Sequence, residues 1–568
     1  MKPYRKGYSV GFLCIVFTNL FAVITPLVLK FGIEDLQQGV TASKIAYYSG
    51  IIVIIALFAG IFRYFMRRVI VSVSRRIEFD MRIRYFAHLQ VLSPSFYNRQ
   101  QTGDLMTRAT SDIEAVRMVF GPAVMYSVDT LLTAAFALSV MFALSVPLTL
   151  TVLTLAPILS TLIYFLAKNI LRFSLQVQER YSDLNAMIQE HLSGVRVVRS
   201  YCQEDPEKEL FHSLNNKYFK ANMKLVKIQA MLFPLFYSIF GVGMALILYM
   251  GGRAIISGTI SLGDFVAYSA YVSMLAWPVM AIGWILNMIQ RGSASMRRIV
   301  RIMDIKPEIS DQVAGGQLRD IIGNIRFENV TFSYPDTDTD VLEKIDLDIP
   351  AGSSLGIVGY VGSGKTTLLS LIPRLYEVSS GKILIDDVPV EEIPLDVLRK
   401  ELAIVPQDSF LFSDKLERNV LFADREYEEG DLLKYASASG IDEDVKEFPD
   451  GYDVWVGERG ITLSGGQKQR TSLARALSAE PKILLLDDCF SAVDTSTEAD
   501  VINNISSLLK GKTILIVAHR ISTLQWADQI IVLHEGKITE RGNHDKLLKI
   551  KGKYAELYHK QLLEAELR

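Results

Sequence analysis

The residues best placed to do chemistry in this 568-residue chain are Lys365, Thr366, Asp487, Asp488, His519 and the stretch Ser464-Gly465-Gly466-Gln467. Lys365 and Thr366 close the run Gly359-Tyr360-Val361-Gly362-Ser363-Gly364-Lys365-Thr366, with Thr367 next. Glycines at this spacing let the backbone curl until several N–H groups point inward. The N-terminus of a following helix adds partial positive charge, so the run suits a chain of phosphates. Lys365 can reach the β- and γ-phosphates, and the Thr366 hydroxyl suits Mg2+. Asp487 ends the apolar run Ile483-Leu484-Leu485-Leu486, offering a carboxylate to the hydration shell of that ion. Asp488 follows where a general base would face an attacking water. Residues 513–518 deliver His519 from another strand end, where it can sense a γ-phosphate. Ser464, Gly465 and Gly466 precede the helical run 469–477 and build a second anion-binding helix N-terminus.

These side chains need a sheet to hold them. Leu355-Gly356-Ile357-Val358 reads as a buried strand before the phosphate-binding run, and residues 367–372 as the helix after it. Residues 325–334 alternate as a strand; 381–385, 402–405, 483–486 and 513–517 are short apolar strands. Residues 529–533 and 537–540 flank His534-Glu535-Gly536 as a hairpin. Strands alternating with helices predict an α/β P-loop nucleotide-binding domain over residues 323–568.

The first half has a different character. Half of all residues are hydrophobic, and six long runs are nearly free of charge. They predict a membrane all-α domain, residues 1–305, with six transmembrane helices at about 7–29, 45–70, 120–146, 148–170, 228–252 and 265–291. The first run is too long for a cleavable signal peptide and reads as a span. Lys2, Arg5 and Lys6 precede the first span, and Arg63, Arg67, Arg68, Arg75 and Arg76 lie at and beyond the end of the second. Lys168, Arg172, Arg291, Arg297, Arg298 and Arg301 lie at the matching ends of the fourth and sixth. Glu34 and Asp35 occupy the first outer connection. The positive-inside rule then places both termini in the cytoplasm of a multi-pass protein of the cell membrane.

The two inner connections, residues 63–119 and 168–227, read as long cytoplasmic helical extensions, with solvated charged loops as the alternative. At ~1.5 Å per residue they would project roughly 30–40 Å. Candidate tips are residues 95–102 and 201–205, the first reached where Val91 ends a helix before Ser93-Pro94. A polar linker with Pro307, Gly315 and Gly316 is expected over 306–322.

Taken together, Leu463-Ser464-Gly465-Gly466-Gln467, the phosphate loop and the strand-end Asp487 resemble the ATP-binding cassette family, in which the first stretch is the signature. The resemblance covers the whole chain: six spans and one cassette look like a half-transporter of the exporter type. It implies ATP and Mg2+ as cofactors, with Thr366, Gln407 and Asp487 around the metal. It also implies Tyr334 as the aromatic that stacks on adenine and Asp494 as part of a loop communicating across a dimer. Val456-Gly457-Glu458-Arg459-Gly460 resembles the exporter segment that touches the inner loops. In this family two cassettes face head to tail, each ATP lying between one phosphate loop and the other chain's signature.

One position departs from the pattern. Competent cassettes carry Glu after the strand Asp, whereas this chain carries Asp488. The resemblance is therefore to the subunit of a heterodimeric bacterial exporter whose own ATP site is weak, a homodimer being the alternative. The expected function is ATP-driven efflux of amphipathic or lipophilic compounds. A lipid or peptide exporter, or an ATP-gated channel, would share the architecture. The net charge of −2 gives no reason to expect a nucleic-acid partner. Cys14, Cys202 and Cys489 lack metal-site spacing and read as ordinary reduced thiols. Asp129, the one charge inside the apolar runs 7–29, 45–62, 120–147, 148–167, 228–252 and 265–290, either faces a cavity or pairs with a basic residue. Phe233, Phe236, Tyr237, Phe240, Met274, Trp277, Met280 and Trp284 could line an apolar cavity or simply pack.

Overall fold

The computed structural model describes residues 2–39, 41–311, 320–335, 337, 339–423, 428 and 430–566. The side chains of residues 2, 155, 156, 159, 160, 163, 164, 167, 233, 495 and 564–566 are outside that description. The expected linker glycines Gly315 and Gly316, and the Phe233 side chain, therefore lie outside the described residues. The chain divides into two units, Met1–Phe86 with Met106–Asp304, and Ala87–Leu105 with Ile305–Arg568.

The first unit is helical. It contains α1 (Arg5–Gln38), α2 (Ala42–Val91, whose end enters the second unit) and, beyond α3 (Pro94–Arg99) and α4 (Thr102–Thr107), a continuing helix. That helix passes through two π-helical stretches and α5 (Ile113–Met118) into α6 (Val124–Leu144). Then come α7 (Val146–Leu153), α8 (Leu155–Ser193), α9 (Val195–Ser200), α10 (Glu204–Ile256) and α11 (Leu262–Met303). α2 stops at Val91 because Pro94 disfavours helical geometry just before it and restarts a helix as its first residue. Among the described residues, five helices are long and apolar enough to cross a membrane. The expected fourth span covers α7 and the start of α8, interrupted at Thr154. There the Thr154 hydroxyl donates to the Thr151 carbonyl at 2.6 Å, and Pro157 cannot donate to the carbonyl four residues back. None of the most apolar stretch of α2 is buried within the chain, as expected for a surface that meets lipid or another subunit.

In the second unit, β1 (Ile325–Phe332), β2 (Leu342–Ile349), β4 (Ser380–Ile385) and β5 (Val388–Pro389) form an antiparallel sheet in the order β2-β1-β4-β5. β2 is a strand that the sequence reading omits, although its Leu-Glu-Lys-Ile-Asp-Leu-Asp-Ile alternates well enough to bury one face. The larger sheet runs β12-β11-β3-β10-β9-β6. It comprises β3 (Ser354–Gly359), β6 (Leu402–Val405), β9 (Ile483–Asp487), β10 (Thr513–Val517), β11 (Gln529–His534) and β12 (Lys537–Gly542). β3, β9 and β10 are buried along their whole length, which is why they read as unbroken apolar runs. A short ribbon pairs β7 (Asp414–Lys415) with β8 (Trp455–Val456).

The helices of this unit are α12 (Lys365–Leu371), α13 (Leu395–Lys400), α14 (Leu416–Val420), α15 (Asp431–Ser439) and α16 (Ile441–Val445). They are followed by α17 (Gly465–Ser478), α18 (Thr495–Ser506), α19 (His544–Ile550) and α20 (Lys553–Glu566). The tip after α2 belongs to this unit. The buried Ser93 hydroxyl donates to Glu308 Oε2 at 3.0 Å, Ser95 donates to the same oxygen, and Asn98 Nδ2 donates to the Tyr376 hydroxyl at 3.2 Å.

Candidate functional site

Parallel pairing of β3, β10, β9 and β6 aligns their C-terminal ends: Val517 lies opposite both Ile357 and Asp487, and Val405 opposite Leu486. The expected groups after those ends are thereby brought to one edge of the sheet, where α/β folds bind ligands. Gly359, the last residue of β3, must lack a side chain, since a Cβ there would lie 2.2 Å from the Leu533 carbonyl oxygen. Gly364 adopts φ +97°, the left-handed turn from which α12 starts. Gly362 has open space around it.

Lys365 is only 7 % exposed, and its ammonium donates to the carbonyls of Gly359 at 3.0 Å and Tyr360 at 2.9 Å. Burial lowers its pKa, against the opposing pull of Asp487 and Asp488. Asp487 is 3 % exposed, and burial raises its pKa; the Thr366 hydroxyl opposes this, Asp488 adds to it, and Lys365 and His519 oppose it. Asp487 Oδ1 and Ser363 Oγ are buried without a hydrogen-bond partner. Such orphaned atoms are costly in a folded interior. A carboxylate oxygen and a hydroxyl left open beside a buried lysine fit a hydrated cation and the phosphates it accompanies.

Asp488 is buried and adopts φ +46°, a left-handed conformation that costs a non-glycine residue about 1–3 kcal/mol. Its backbone N–H donates to the Val517 carbonyl at 2.9 Å, and its Oδ1 accepts from the backbone N–H of His519 at 3.4 Å. His519 is exposed, and Gln561 of α20 brackets its loop. Gln561 Nε2 donates to the His519 carbonyl at 2.6 Å, while its Oε1 accepts from the Ile521 N–H at 2.9 Å. Gln407 is exposed two residues past β6. Tyr334 is half-buried; its hydroxyl shares a hydrogen bond with Thr367 Oγ1 at 2.9 Å, and its ring meets Phe332 and Tyr376 edge-on.

The signature stretch is built from its own residues. Ser464 caps α17: its hydroxyl accepts from the Gln467 N–H at 3.3 Å, and Gln467 Oε1 accepts from the Ser464 N–H at 2.9 Å. Asp444 of α16 steadies the turn, accepting from Gln467 Nε2 at 3.0 Å and pairing with Arg470 at 2.7 Å. A Cβ on Gly466 would lie 3.0 Å from the Ala492 carbonyl oxygen, so the loop after β9 sets that glycine. Asp494 caps α18, accepting from the Thr497 N–H at 2.9 Å and the Ser496 hydroxyl at 2.6 Å, bonds that hold its pKa well below the usual carboxylate range. Among the described residues, no hydrogen bond or ion pair links Ser464, Gly465, Gly466 or Gln467 to the phosphate loop.

Two residues that sequence reasoning missed tie the site together. Buried Gln469 donates to Ser491 Oγ at 2.9 Å and accepts from the Ala492 N–H at 2.9 Å, while Ser491 Oγ donates to the Asp488 carbonyl at 3.0 Å. This joins α17 to the segment after Asp487. Arg475 donates to the carbonyls of Phe410 and Asn419 at 2.8 and 2.9 Å and lies against the stacked rings of Phe412 and Phe422. Burial lowers its pKa to about 10. Neither residue sits in a recognisable motif, and a Gln or Arg inside an amphipathic helix gives no local signal.

In the helical unit, α6, α7, α10 and α11 enclose a cavity of about 760 Å3. Of the aromatic and Met residues that could line a cavity or simply pack, Phe236, Tyr237, Phe240 and Met280 line it, whereas Met274, Trp277 and Trp284 are not among its lining residues. Its polar groups come from Ser127, Thr130, Tyr237 and Ser273. Asp129 is partnered by an amide rather than a basic residue: Asn19 Nδ2 of α1 donates to it at 2.8 Å, and Thr133 donates to Asn19 Oδ1.

Fold and site define a membrane-spanning helical domain fused to an α/β nucleotide-binding domain. The family model for the ABC transporter transmembrane region matches residues 8–279, and that for the ABC transporter itself matches residues 342–491. The chain is 34% identical to the probable multidrug resistance ABC transporter ATP-binding/permease protein YheI of Bacillus subtilis, covering 99% of this chain and 96% of that protein. It is also 34% identical to the ATP-dependent lipid A-core flippase of Desulfotalea psychrophila, over 96% of each. A bacterial Atm1-family ABC exporter solved with ATP bound superposes with a TM-score of 0.81 at 25% identity, covering 98% of both chains. This chain belongs to the ABC transporter family and is an exporter of that family, with ATP hydrolysis coupled to transport.

Proposed function

We propose that the chain is one half of a heterodimeric exporter of amphipathic or lipophilic compounds, and that the ATP site at its own phosphate loop hydrolyses poorly. ABC exporters work as dimers, and an intact, self-supported signature beside an altered base position favours two different chains. The observation that carries the reading is Asp488. Asp is one methylene shorter than Glu, which withdraws the carboxylate by roughly 1–1.5 Å. Here it is also buried, held in a left-handed turn and engaged with the His519 N–H. A misplacement of about 1 Å can cost on the order of a hundredfold in rate.

The remaining roles follow from placement. Lys365 and the open backbone of the loop hold the phosphates, Ser363 Oγ supplies a further donor, and Tyr334 offers its ring to adenine. Thr366, Asp487 and Gln407 would hold Mg2+, which when bound neutralises charge developing on the phosphate oxygens. His519 stands near the γ-phosphate position. Ser464, Gly465, Gly466 and Gln467 present α17 to the partner's nucleotide, and Asp494 belongs to the contact between chains. The cavity of about 760 Å3 receives the substrate; its size suits a drug-like molecule, and its few hydroxyls orient rather than charge-select. The basic residues at the inner ends of the spans support a cytoplasmic position for both termini in a bacterial cell membrane.

Single-site turnover by nucleotide trapping tests the weak site. Asp488→Asn is expected to leave the complex's total ATPase nearly unchanged, and Asp488→Glu to raise turnover at this site. Loss of the whole cycle in Asp488→Asn would make Asp488 a working base and end the asymmetric reading. Lipid export is the second reading, favoured by the absence of any charged side chain from the cavity lining. Transfer of labelled lipid between leaflets by the reconstituted protein, without uptake of lipophilic dyes, would select it.

A further inference from the structure

The N-terminal turn, Lys2–Tyr4, and the middle of α2 wall a cleft of about 440 Å3, lined by Tyr4, Ser72, Arg75, Arg76, Phe79 and Asp80. Its charges are unevenly committed. Arg75 pairs with Glu78 at 2.9 Å, and the Tyr4 hydroxyl donates to Asp80 Oδ2. Arg76 has no hydrogen bond or ion pair among the described residues, and Asp80 spends a single oxygen on Tyr4. The free Arg76 guanidinium, the Arg75 guanidinium and one partly free carboxylate thus face the same space, while Glu78, which Arg75 shares with Arg82 and Arg117, lies outside the lining.

The depth of the cleft follows from helix packing. A Cβ on Gly7 would touch Val73, and one on Gly11 would touch Ile70, so α1 and α2 lie flush there. Gly7 begins the charge-free run of α1. Tyr4 is three residues outside it, and the cleft residues of α2 lie two to ten residues past Ile70, so the cleft starts within about one turn, ~5 Å, of the hydrocarbon and extends to roughly 15 Å. Its near end lies in the headgroup layer, which adds roughly 5–7 Å to each side of the apolar core. Phe79, 63% exposed beside the cleft, is the kind of side chain that settles at this boundary.

We infer that the cleft seats a phospholipid headgroup bearing a phosphate with a primary ammonium beside it. The phosphate meets Arg76 and the Ser72 hydroxyl, and the ammonium donates to Asp80. A choline headgroup has no N–H to offer Asp80, and an anionic headgroup such as phosphatidylglycerol brings it no ammonium. Asp80, the one carboxylate of the lining, selects a headgroup with N–H donors, and the two arginines of the lining favour its phosphate.

The test is native mass spectrometry of the full-length protein in detergent, titrated with dioctanoyl phosphatidylethanolamine, phosphatidylcholine, phosphatidylglycerol or inorganic phosphate. The wild type should hold phosphatidylethanolamine about fivefold more tightly than phosphatidylcholine, on the scale of one charge contact at a membrane surface. Arg76→Gln should weaken all three lipids by a similar factor. Asp80→Asn should erase the preference for phosphatidylethanolamine while leaving phosphatidylcholine binding as it was. Tyr4→Phe, which keeps the carboxylate, should retain the preference; its loss there would assign the effect to the clasp and overturn the proposal. Equal wild-type affinity for ethanolamine and choline lipids, or wild-type affinities in Arg76→Gln, would also overturn it. Displacement of lipid by equimolar inorganic phosphate would assign the cleft to a free anion instead.

Discussion

The phosphate loop and the N-terminus of α17 both aim backbone N–H groups at an anion, yet they are finished to different degrees. Around the loop, Lys365 and Asp487 are buried with their pKa values pushed toward the neutral forms, and Asp487 Oδ1 and Ser363 Oγ have no partner. Around α17, the capping box closes the turn and Asp444 pairs with Arg470, leaving unpartnered only atoms of that ion pair, while Ser464 and Gly465 stay exposed. One site stores unsatisfied polarity that a charged ligand relieves. The other is held by its own side chains and leaves its first residues open to a facing surface. A protein with both has reason to bind nucleotide with the first and present the second to another chain.

The largest expected effect is at the loop. Lys365→Ala should weaken nucleotide labelling of this chain about tenfold to a hundredfold, the scale of a hydrogen bond to a charged group, with α17 undisturbed. Photo-crosslinking of labelled ATP to the purified complex measures it. Ser464→Ala should do the reverse, sparing this chain's labelling while cutting the complex's steady-state ATPase about tenfold; its cost to the helix is only about 1 kcal/mol. If both variants lose labelling equally, the two ends are not separate.

Gln469→Ala should blur the comparison, because Gln469 joins α17 to the segment carrying Asp488. Loss of two buried hydrogen bonds predicts about 1–3 kcal/mol of destabilisation, read by denaturant unfolding of the complex, with ATPase reduced but labelling retained. The smallest effect is thermal. Burial raises the pKa of Asp487, so the folded, nucleotide-free chain holds its proton more tightly than the unfolded chain does. The cost of its charge is absent below the ordinary carboxylate pKa, grows as pH rises toward the raised value, and is complete above it. Asp487→Asn should therefore raise the nucleotide-free melting temperature by about 2 °C at neutral pH, with no gain near pH ~4, while losing Mg2+-dependent nucleotide binding. Scanning fluorimetry across pH reads the sign directly.

Sequence alone carried whatever is written in consecutive residues. The phosphate loop, the strand ending in Asp487, the Ser-Gly-Gly turn and the apolar runs are local patterns, set by glycine backbone freedom, strand burial and the length of a bilayer crossing. So is the stop of α2 at Val91, because the Pro ring acts on the residue before it. Residues 402–405 and 513–517 are strands in both the pattern and the fold for the same reason: nearly wholly buried, they are apolar except for Thr513, whose hydroxyl donates to the Gly323 carbonyl.

Only tertiary structure decided which distant groups share a bond. Glu308 accepting from Ser93 and Ser95, Gln469 reaching Ser491, Gln561 bracketing His519 and Asn19 answering Asp129 are each separated by many residues, and no periodicity relates them. The same holds for Ala87–Leu105 joining the nucleotide-binding unit rather than the helices it extends. Buried polar groups must find partners wherever the fold puts them. Sequence names the groups that need a partner; the packing of strands and helices chooses which one they get.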